Sequence, residues 1–600
     1  MVCKQSHFHK SVAFLPIGEG RGRNGKVERP VRSNEGSTMT YHSPSHSAGR
    51  RFDGMIDRGV IWTQGQLRTF WSRLDPEIVA TVVLGLLLVV SALVLWANVR
   101  TQWFIYDEFD YLMPPEGASW LGWLITPHNE HTIFFTKLWF SLLYGTIGLQ
   151  GYWLYAVPMI LGHLAGGVAA YKLVRLIIPS RAIAVATVAP LLLMAAGAGT
   201  LTWAGQFQYT AATAAGLWVL YLALSPTVGA RTRWIGILAL SLFGTFSGSA
   251  YIPLGVAGGL ALIMVRRYLL GAVTILIPAA WFVLARVLYT IPSNNSAHSL
   301  EQVLRDGPAF IYALLNKAVN DSIPVSGSFT TPIMLAATIG AVAFLAIRLS
   351  GSPRGRRTYL FLLIALTLSL FITMIGRLSR DVADSASGGY SYFILIAAIP
   401  LFVTTIARFF GGTRIATTLI VLLLAGWGAI GIAGLQATAQ GLADWKSSNA
   451  TLLTGAAYLS QNDFTVASDA QPSPALAPTV SWSELEAMAD DGRIIGEEPS
   501  QLTTDQISLN VQWVSEAPGG EVGSVCQVVA PHESAAVTVE AGDPIDLVAT
   551  TAASTQVTLE YPTSDASRAI ALPQGGLLLD SVADRAATVT TGDEAVTLCR

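Results

Sequence analysis

Apolar runs of roughly 20 residues recur from Ile78 to about Leu435, each long enough to cross a hydrocarbon layer about 30 Å thick as a helix. The first, IVATVVLGLLLVVSALVLWANV, ends at Val99 and carries no charged residue. A backbone in hydrocarbon must satisfy its own polar groups, so a bundle of spanning helices is the fold open to this region. Charge agrees with that reading. Only 13% of the chain is charged, about half of the roughly 25% usual in soluble domains. A net charge of -2 gives no basic surplus of the kind that a nucleic-acid partner requires.

Basic residues orient the bundle, because cytoplasmic loops collect Lys and Arg. Arg50, Arg51, Arg58, Arg68 and Arg73 precede the first span and put the N-terminus in the cytoplasm. The segment TIFFTKLWFSLLYGTIGL, residues 132–149, then decides the topology. Were it a span, Lys172, Arg175 and Arg181 would lie outside; laid along the outer interface, it returns them inside. Arg231 and Arg233, Arg266 and Arg267, the arginines from Arg354 to Arg357, and Arg408 with Arg414 then all fall in the cytoplasm. The external loops become residues 202–209, 247–250, about 291–329 and 377–389. The long one holds EQVLRDGPAFIYALLNKAVND, whose helical spacing suits a second interfacial helix. About eleven transmembrane helices result, with the C-terminus outside.

Three parts follow: a disordered basic cytoplasmic tail over 1–75, a transmembrane domain over 76–440, and an extracytoplasmic soluble domain over 441–600. The first external loop covers about 100–152. The last part opens with a short helix at SWSELEAMADDG and continues in alternating runs such as QVTLEYP and AATVTTG, which read as a β-rich domain. Cys526 and Cys599 lie there, in an oxidising compartment, and are expected to pair.

Against this sparse charge, the stretch YDEFDYLMPPEGASWLGWLITPHNEH, Tyr106 to His131, crowds five acids beside two histidines. Ionisable residues at a bilayer are costly and mark function. A carboxylate just outside the membrane can take a proton from a hydroxyl as it attacks an activated carbon. Lipid-linked phospho-sugars present such a carbon at this depth, with a phosphate leaving group that needs cationic stabilisation. Asp107 and Glu108 are the leading pair. Asp110, three residues on, shares a helical face with Asp107 and is the alternative acid. Arg377 and Arg380, at the outer end of another span, offer planar forks to phosphate, with Lys137 and Arg100 as further cations. His128, Glu130 and His131 are candidate contacts to sugar or acceptor. Their spacing is not an established zinc pattern, so no metal site is assigned and a divalent cation stays open. Trp203, Gln206 and Gln208 are within reach of a sugar from the next external loop, and Asn449 heads an Asn-Ala-Thr acceptor motif.

An acidic pair directly after the first span, then a long external loop with interfacial helices, resembles the GT-C superfamily of polyprenyl-phosphate-dependent glycosyltransferases, such as lipid A aminoarabinose transferases and protein O-mannosyltransferases. YDEFDYL matches their acidic motif by position, and the residues from His131 into the second span match their passage from loop to membrane. The resemblance covers about residues 76–440 and implies a GT-C-like fold with Asp107 as catalytic base and Glu108 supporting it or holding a metal. It further implies a polyprenyl-phosphate sugar donor and an extracytoplasmic glycan, lipid or protein acceptor. PHNEH has no counterpart there. Two other classes are weighed: a transporter or flippase of a lipid-linked glycan, which needs gating repeats and mid-membrane charge, and a non-catalytic scaffold for envelope assembly.

Overall fold

The computed structural model describes residues 75–289, 299–322, 352–378 and 388–511, excepting 116, 130, 463, 465, 467 and 468. Beyond these it describes 513–516, 526–539, 545–549, 555–560, 567–572, 577–581, 585–591 and 596–599. The basic tail expected up to residue 75, together with Glu130, Arg380 and the apolar stretch 331–351, falls outside the described residues.

Seven described helices are long and apolar enough to cross a membrane: Pro76–Val99, Tyr152–Ile177, Ala204–Leu224, Tyr268–Leu288, Pro353–Arg377, Gly389–Phe410 and Arg414–Ser460. Arg181–Leu192 and Ala195–Leu201, bent by 45° at their break, form an eighth if they make one span. The chain is thus a multi-pass membrane protein. The expected eleven spans reduce to seven or eight among the described residues. Ala230–Ser247, with two arginines in its first turn, is not apolar enough, and Tyr251–Met264 has only 14 residues, so neither qualifies.

The first span shows how packing is chosen. Ile78, Val82, Leu86, Val89 and Leu93 are exposed at helical spacing and form a lipid-facing stripe, whereas Leu84, Ser91 and Leu95 are buried. Ser91 Oγ donates to the Leu192 carbonyl at 2.9 Å, and a ring nitrogen of buried His163 lies 3.1 Å from the same oxygen. That carbonyl ends the helix at the break, so both partners satisfy a group that hydrocarbon cannot.

The expected surface-lying segment is the 14-residue helix Phe134–Ile147, at about 21 Å too short to span. It ends at Gly148, whose φ of 61° is left-handed and needs glycine. A Cβ there would strike the backbone of Arg493, so the C-terminal region closes directly on this helix end. Arg493 donates to the Tyr144 and Gly145 carbonyls at 3.0 and 2.6 Å, and its own carbonyl accepts from Leu149 N–H at 2.7 Å. Orphan carbonyls of the helix C-terminus are thereby capped by a cation from the distant C-terminal part.

The last membrane helix, Arg414–Ser460, has 47 residues and runs unbroken past position 440, where the sequence suggests a domain boundary. Leu435, Ala439, Lys446, Asn449 and Leu453 form its buried face beyond the apolar stretch. After it come helices Trp482–Asp490, capped by Ser481, and Gln501–Val511. Nine strands follow: β1 Trp513–Glu516, β2 Cys526–Val529, β3 Ser534–Val539, β4 Ile545–Ala549, β5 Thr555–Glu560, β6 Ser567–Leu572, β7 Leu577–Ser581, β8 Arg585–Thr591 and β9 Val596–Cys599. They form two antiparallel sheets, ordered β1-β7-β4-β9-β2 and β3-β8-β5-β6. Val557 and Leu559, and Val596 and Leu598, are buried at period two, as half-buried strands require.

Cys526 is disulfide-bonded, and the β2–β9 register sets it directly opposite Cys599. Opposed antiparallel residues have Cα atoms about 4.5–5.5 Å apart, within disulfide reach. Peptide mapping without reductant should therefore recover a linked peptide holding Cys526 and Cys599. Recovery of Cys526 joined to Cys3 instead would refute that pairing.

Candidate active site

The acidic turn is a 3-10 helix, Tyr106–Tyr111, sitting just past the end of the first span. Its conformation follows from its aromatics. Phe104 packs edge-on against Tyr152 and Tyr155 with ring centroids 4.9 and 4.8 Å apart, and Phe109 and Tyr111 are buried beside it. These anchors fix both ends of a six-residue turn, leaving Asp107 and Asp110 partly exposed. Tyr106 enters with φ 50°, a left-handed conformation that costs a non-glycine residue about 1–2 kcal/mol. Its N–H donates to the Leu476 carbonyl at 2.6 Å, which holds it there.

Glu108 takes the opposite direction from Asp107 and is completely buried. One carboxylate oxygen accepts from Tyr152 Oη–H and Gly205 N–H, both at 2.8 Å; the other accepts from Ile105 N–H at 3.2 Å. Gly205 suits this close approach, since a Cβ would sit a tight 3.2 Å from Glu108 Cγ and from the Tyr111 ring. Burial lifts the Glu108 carboxyl to about 7, against the pull of Lys446 and the three donors. Glu108 is therefore a bolt joining the acidic turn to the Tyr152–Ile177 helix and the Ala204–Gln206 turn.

His128 gathers the exposed acids. Its Nε2 lies 3.4 Å from an Asp107 oxygen and its Nδ1 4.0 Å from an Asp110 oxygen, with the ring edge-on to Tyr111 at 5.2 Å. Thr479 hydrogen-bonds Asp110, so the C-terminal part also reaches the cluster. Burial raises the Asp110 carboxyl, and the neighbouring His128 opposes the rise. Asp107, Asp110 and His128 each offer one ligand atom, all within 4.8 Å of one another. Two carboxylates and an imidazole are a donor set for a first-row divalent cation.

His128 and His131 are joined by an antiparallel backbone bridge. His128 N–H donates to the His131 carbonyl at 2.8 Å and His131 N–H returns to His128 at 3.0 Å, with Asn129 at φ 51°. Asparagine tolerates that conformation, which explains its place. A bridged pair projects both rings to one side, and they then part. His131 Nδ1 lies 2.9 Å from Ser249 Oγ, and its ring is edge-on to Tyr209 at 6.3 Å.

Lys137 is buried and donates to the Trp123 and Thr126 carbonyls at 3.0 and 2.9 Å, pinning the short Trp120–Ile125 helix to Phe134–Ile147. Burial lowers its ammonium to about 8, with Asp110 acting in the other direction. Arg377 ends its helix over the Tyr390 ring at 5.5 Å, and Arg100 lies over Trp96 at 5.3 Å. The structure thus brings together Asp107, Asp110 and His128, with Lys137 near Asp110. It places His131 on the next contact outward and Glu108 beneath. Trp203 Nε1, Gln206 Oε1 and Gln208 Oε1 are buried with no hydrogen-bond partner, on the segment that meets Glu108. Asn449 is also buried, with Nδ2 donating to the Phe104 carbonyl at 2.8 Å, so its acceptor motif is closed to modification.

The residue that escaped the sequence reading is Lys446. It is 1% exposed, donates to the Thr202 carbonyl at 3.2 Å, and lies 5.7 Å from the Tyr152 ring centroid. Its signal was a lysine on the stripe Leu435, Ala439, Asn449, Leu453, where the helix otherwise buries neutral groups.

No protein-family model matches the chain, and no curated protein matches it. It is similar to the solved structure of ArnT from Cupriavidus metallidurans bound to undecaprenyl phosphate, at 14% identity and TM-score 0.44, covering 72% of this chain and 92% of that one. The apo state of the same protein gives 15% identity and TM-score 0.41, covering 73% of this chain and 93% of that one. At these identities and scores, function has to be read from the residues themselves.

Proposed function

We propose that this protein is a membrane glycosyltransferase that moves a sugar from a polyprenyl-phosphate-linked donor to an extracytoplasmic acceptor hydroxyl, with Asp107 as general base. One observation carries the reading: an open carboxylate, Asp107, is set on a strained, heavily braced turn at the membrane-proximal end of the first span, with His128 3.4 Å away. A solvated loop acid has no need of that bracing. Asp107 takes the acceptor proton, the freed oxygen bonds to the anomeric carbon, and the bond from that carbon to the phosphate oxygen breaks. The phosphate keeps the electron pair, and the anomeric centre inverts. His128 orients Asp107 and Asp110. Arg377 and Arg380 are the proposed phosphate contacts, since the Lys137 ammonium is already engaged by two carbonyls. His131 and Glu130 are proposed to line the sugar or acceptor side. The N-terminus is cytoplasmic and the region after residue 440 extracytoplasmic in this reading, with Leu476 and Thr479 contacting the acidic turn from that region.

Purified protein in detergent, offered polyprenyl-phosphate-linked hexoses and pentoses with mixed cell-envelope acceptors, should release free polyprenyl phosphate. Lipid mass spectrometry reads the product. Movement of intact donor across proteoliposomes without cleavage would instead mark a transporter.

A further inference from the structure

Lys446 stands on an element far from the acidic turn in sequence, yet it completes that turn's foundation. Four pieces of chain meet at one buried point. The acidic turn supplies Glu108. The start of the Tyr152–Ile177 helix supplies Tyr152, whose hydroxyl donates to Glu108 and accepts from Ala204 N–H at 2.8 Å. The 202–206 segment supplies the Thr202 carbonyl and the Ala204 and Gly205 amides. The Arg414–Ser460 helix supplies Lys446, whose Nζ lies 5.7 Å from the Tyr152 ring centroid and donates to the Thr202 carbonyl. The same helix braces the loop on either side: the Ala439 carbonyl accepts from Gln102 Nε2 at 2.9 Å, and Asn449 holds the Phe104 carbonyl.

Three donors converge on Glu108 and hold its carboxylate in one orientation. Two of them, Tyr152 and Gly205, belong to elements that Lys446 holds, through the Tyr152 ring and the Thr202 carbonyl. The other ionisable groups around Glu108 are Tyr152, Tyr111 and Tyr155, with Asp107 next to it in sequence; none of these supplies positive charge at neutral pH.

We propose that Lys446 is a positioning residue of the acidic turn: by holding the Thr202 carbonyl and packing on the Tyr152 ring it fixes the two elements that grip Glu108, and through Glu108 it fixes where Asp107 meets His128. The consequence for transfer rests on the reading of Asp107 as base, whereas the consequence for geometry does not.

The test separates the two. His128 reactivity toward diethyl pyrocarbonate, followed by peptide mapping at pH 8, reports the turn without any substrate, with His532 as internal control. K446M and E108Q should each raise His128 labelling by about five-fold while His532 stays unchanged, and K446M/E108Q should show about the same rise, because partners in one network do not add. Multiplied effects, about 25-fold in the double variant, would overturn the proposal, as would unchanged labelling in K446M. Should K446M fail to fold, the double variant carries no buried charge, and its recovery of a folded, labelled protein supports the coupling. Its failure as well would make Lys446 a stability residue alone. In the transfer assay K446M should lower kcat with KM nearly unchanged. The expected labelling with no transfer by wild type would keep the positioning role and remove the enzyme reading.

Discussion

Asp107→Asn should lower the rate of sugar transfer by about a thousand-fold, since a positioned general base contributes 10²–10⁴-fold. The substitution keeps the shape of the side chain and removes only its basicity. The side chain is 38% exposed and makes no buried contact on which the turn depends, so the fold should be retained. Donor should still bind, because the proposed phosphate contacts lie elsewhere. KM for donor should therefore stay within about three-fold while kcat collapses, the pattern of an interaction used only in the transition state. Asp110→Asn should cost far less, about ten-fold, because Asp110 stands farther from His128 and is partly engaged by Thr479. Equal losses at both positions would point to a shared cation between them. A D107N enzyme within a few-fold of wild type would end the assignment of Asp107 as base.

The reach of sequence reasoning over this site has a physical boundary. Periodicity and basic residues argue against a crossing by residues 132–149, because a crossing there would invert several arginine clusters at once, and the helix Phe134–Ile147 is too short to span. The acidic turn was visible as misplaced charge. What the chain order could not express was direction. Residues adjacent in a 3-10 helix point about 120° apart, so Asp107 and Glu108 look equivalent in sequence and are opposite in space. One faces His128; the other is sealed among Tyr152, Gly205 and Ile105. HNEH offered ligand residue types without an established metal spacing, and its two histidines are first partners in a backbone bridge. The partners contributed by Lys446, Leu476 and Thr479 come from more than 300 residues away, and no local pattern carries such contacts. Only the oddity of a lysine in an apolar stripe hinted at them.

Glu108→Ala should be the most destabilising single change in the site, by about 3–5 kcal/mol, the usual cost of removing one partner from a buried charge pair. It strands Lys446 and leaves Tyr152 Oη–H, Gly205 N–H and Ile105 N–H without their acceptor, and it opens space beside Gly205. Thermal unfolding in detergent at pH 8 would show it. Glu108 also imposes a pH dependence whose sign is set by burial. Its carboxyl ordinarily titrates near 4.5 and in the folded protein is lifted to about 7, so the folded state holds this proton more tightly than the unfolded state. Its contribution to stability is therefore fully present below about 4.5, is lost as pH rises toward 7, and is level above that. The difference in stability between wild type and Glu108→Gln, which has no such proton, should accordingly shift against wild type between pH 5 and 7 and then stay constant to pH 8, on the order of a few kcal/mol. Parallel curves for the two proteins across that range would show that Glu108 stays charged even in acid and that Lys446 outweighs burial.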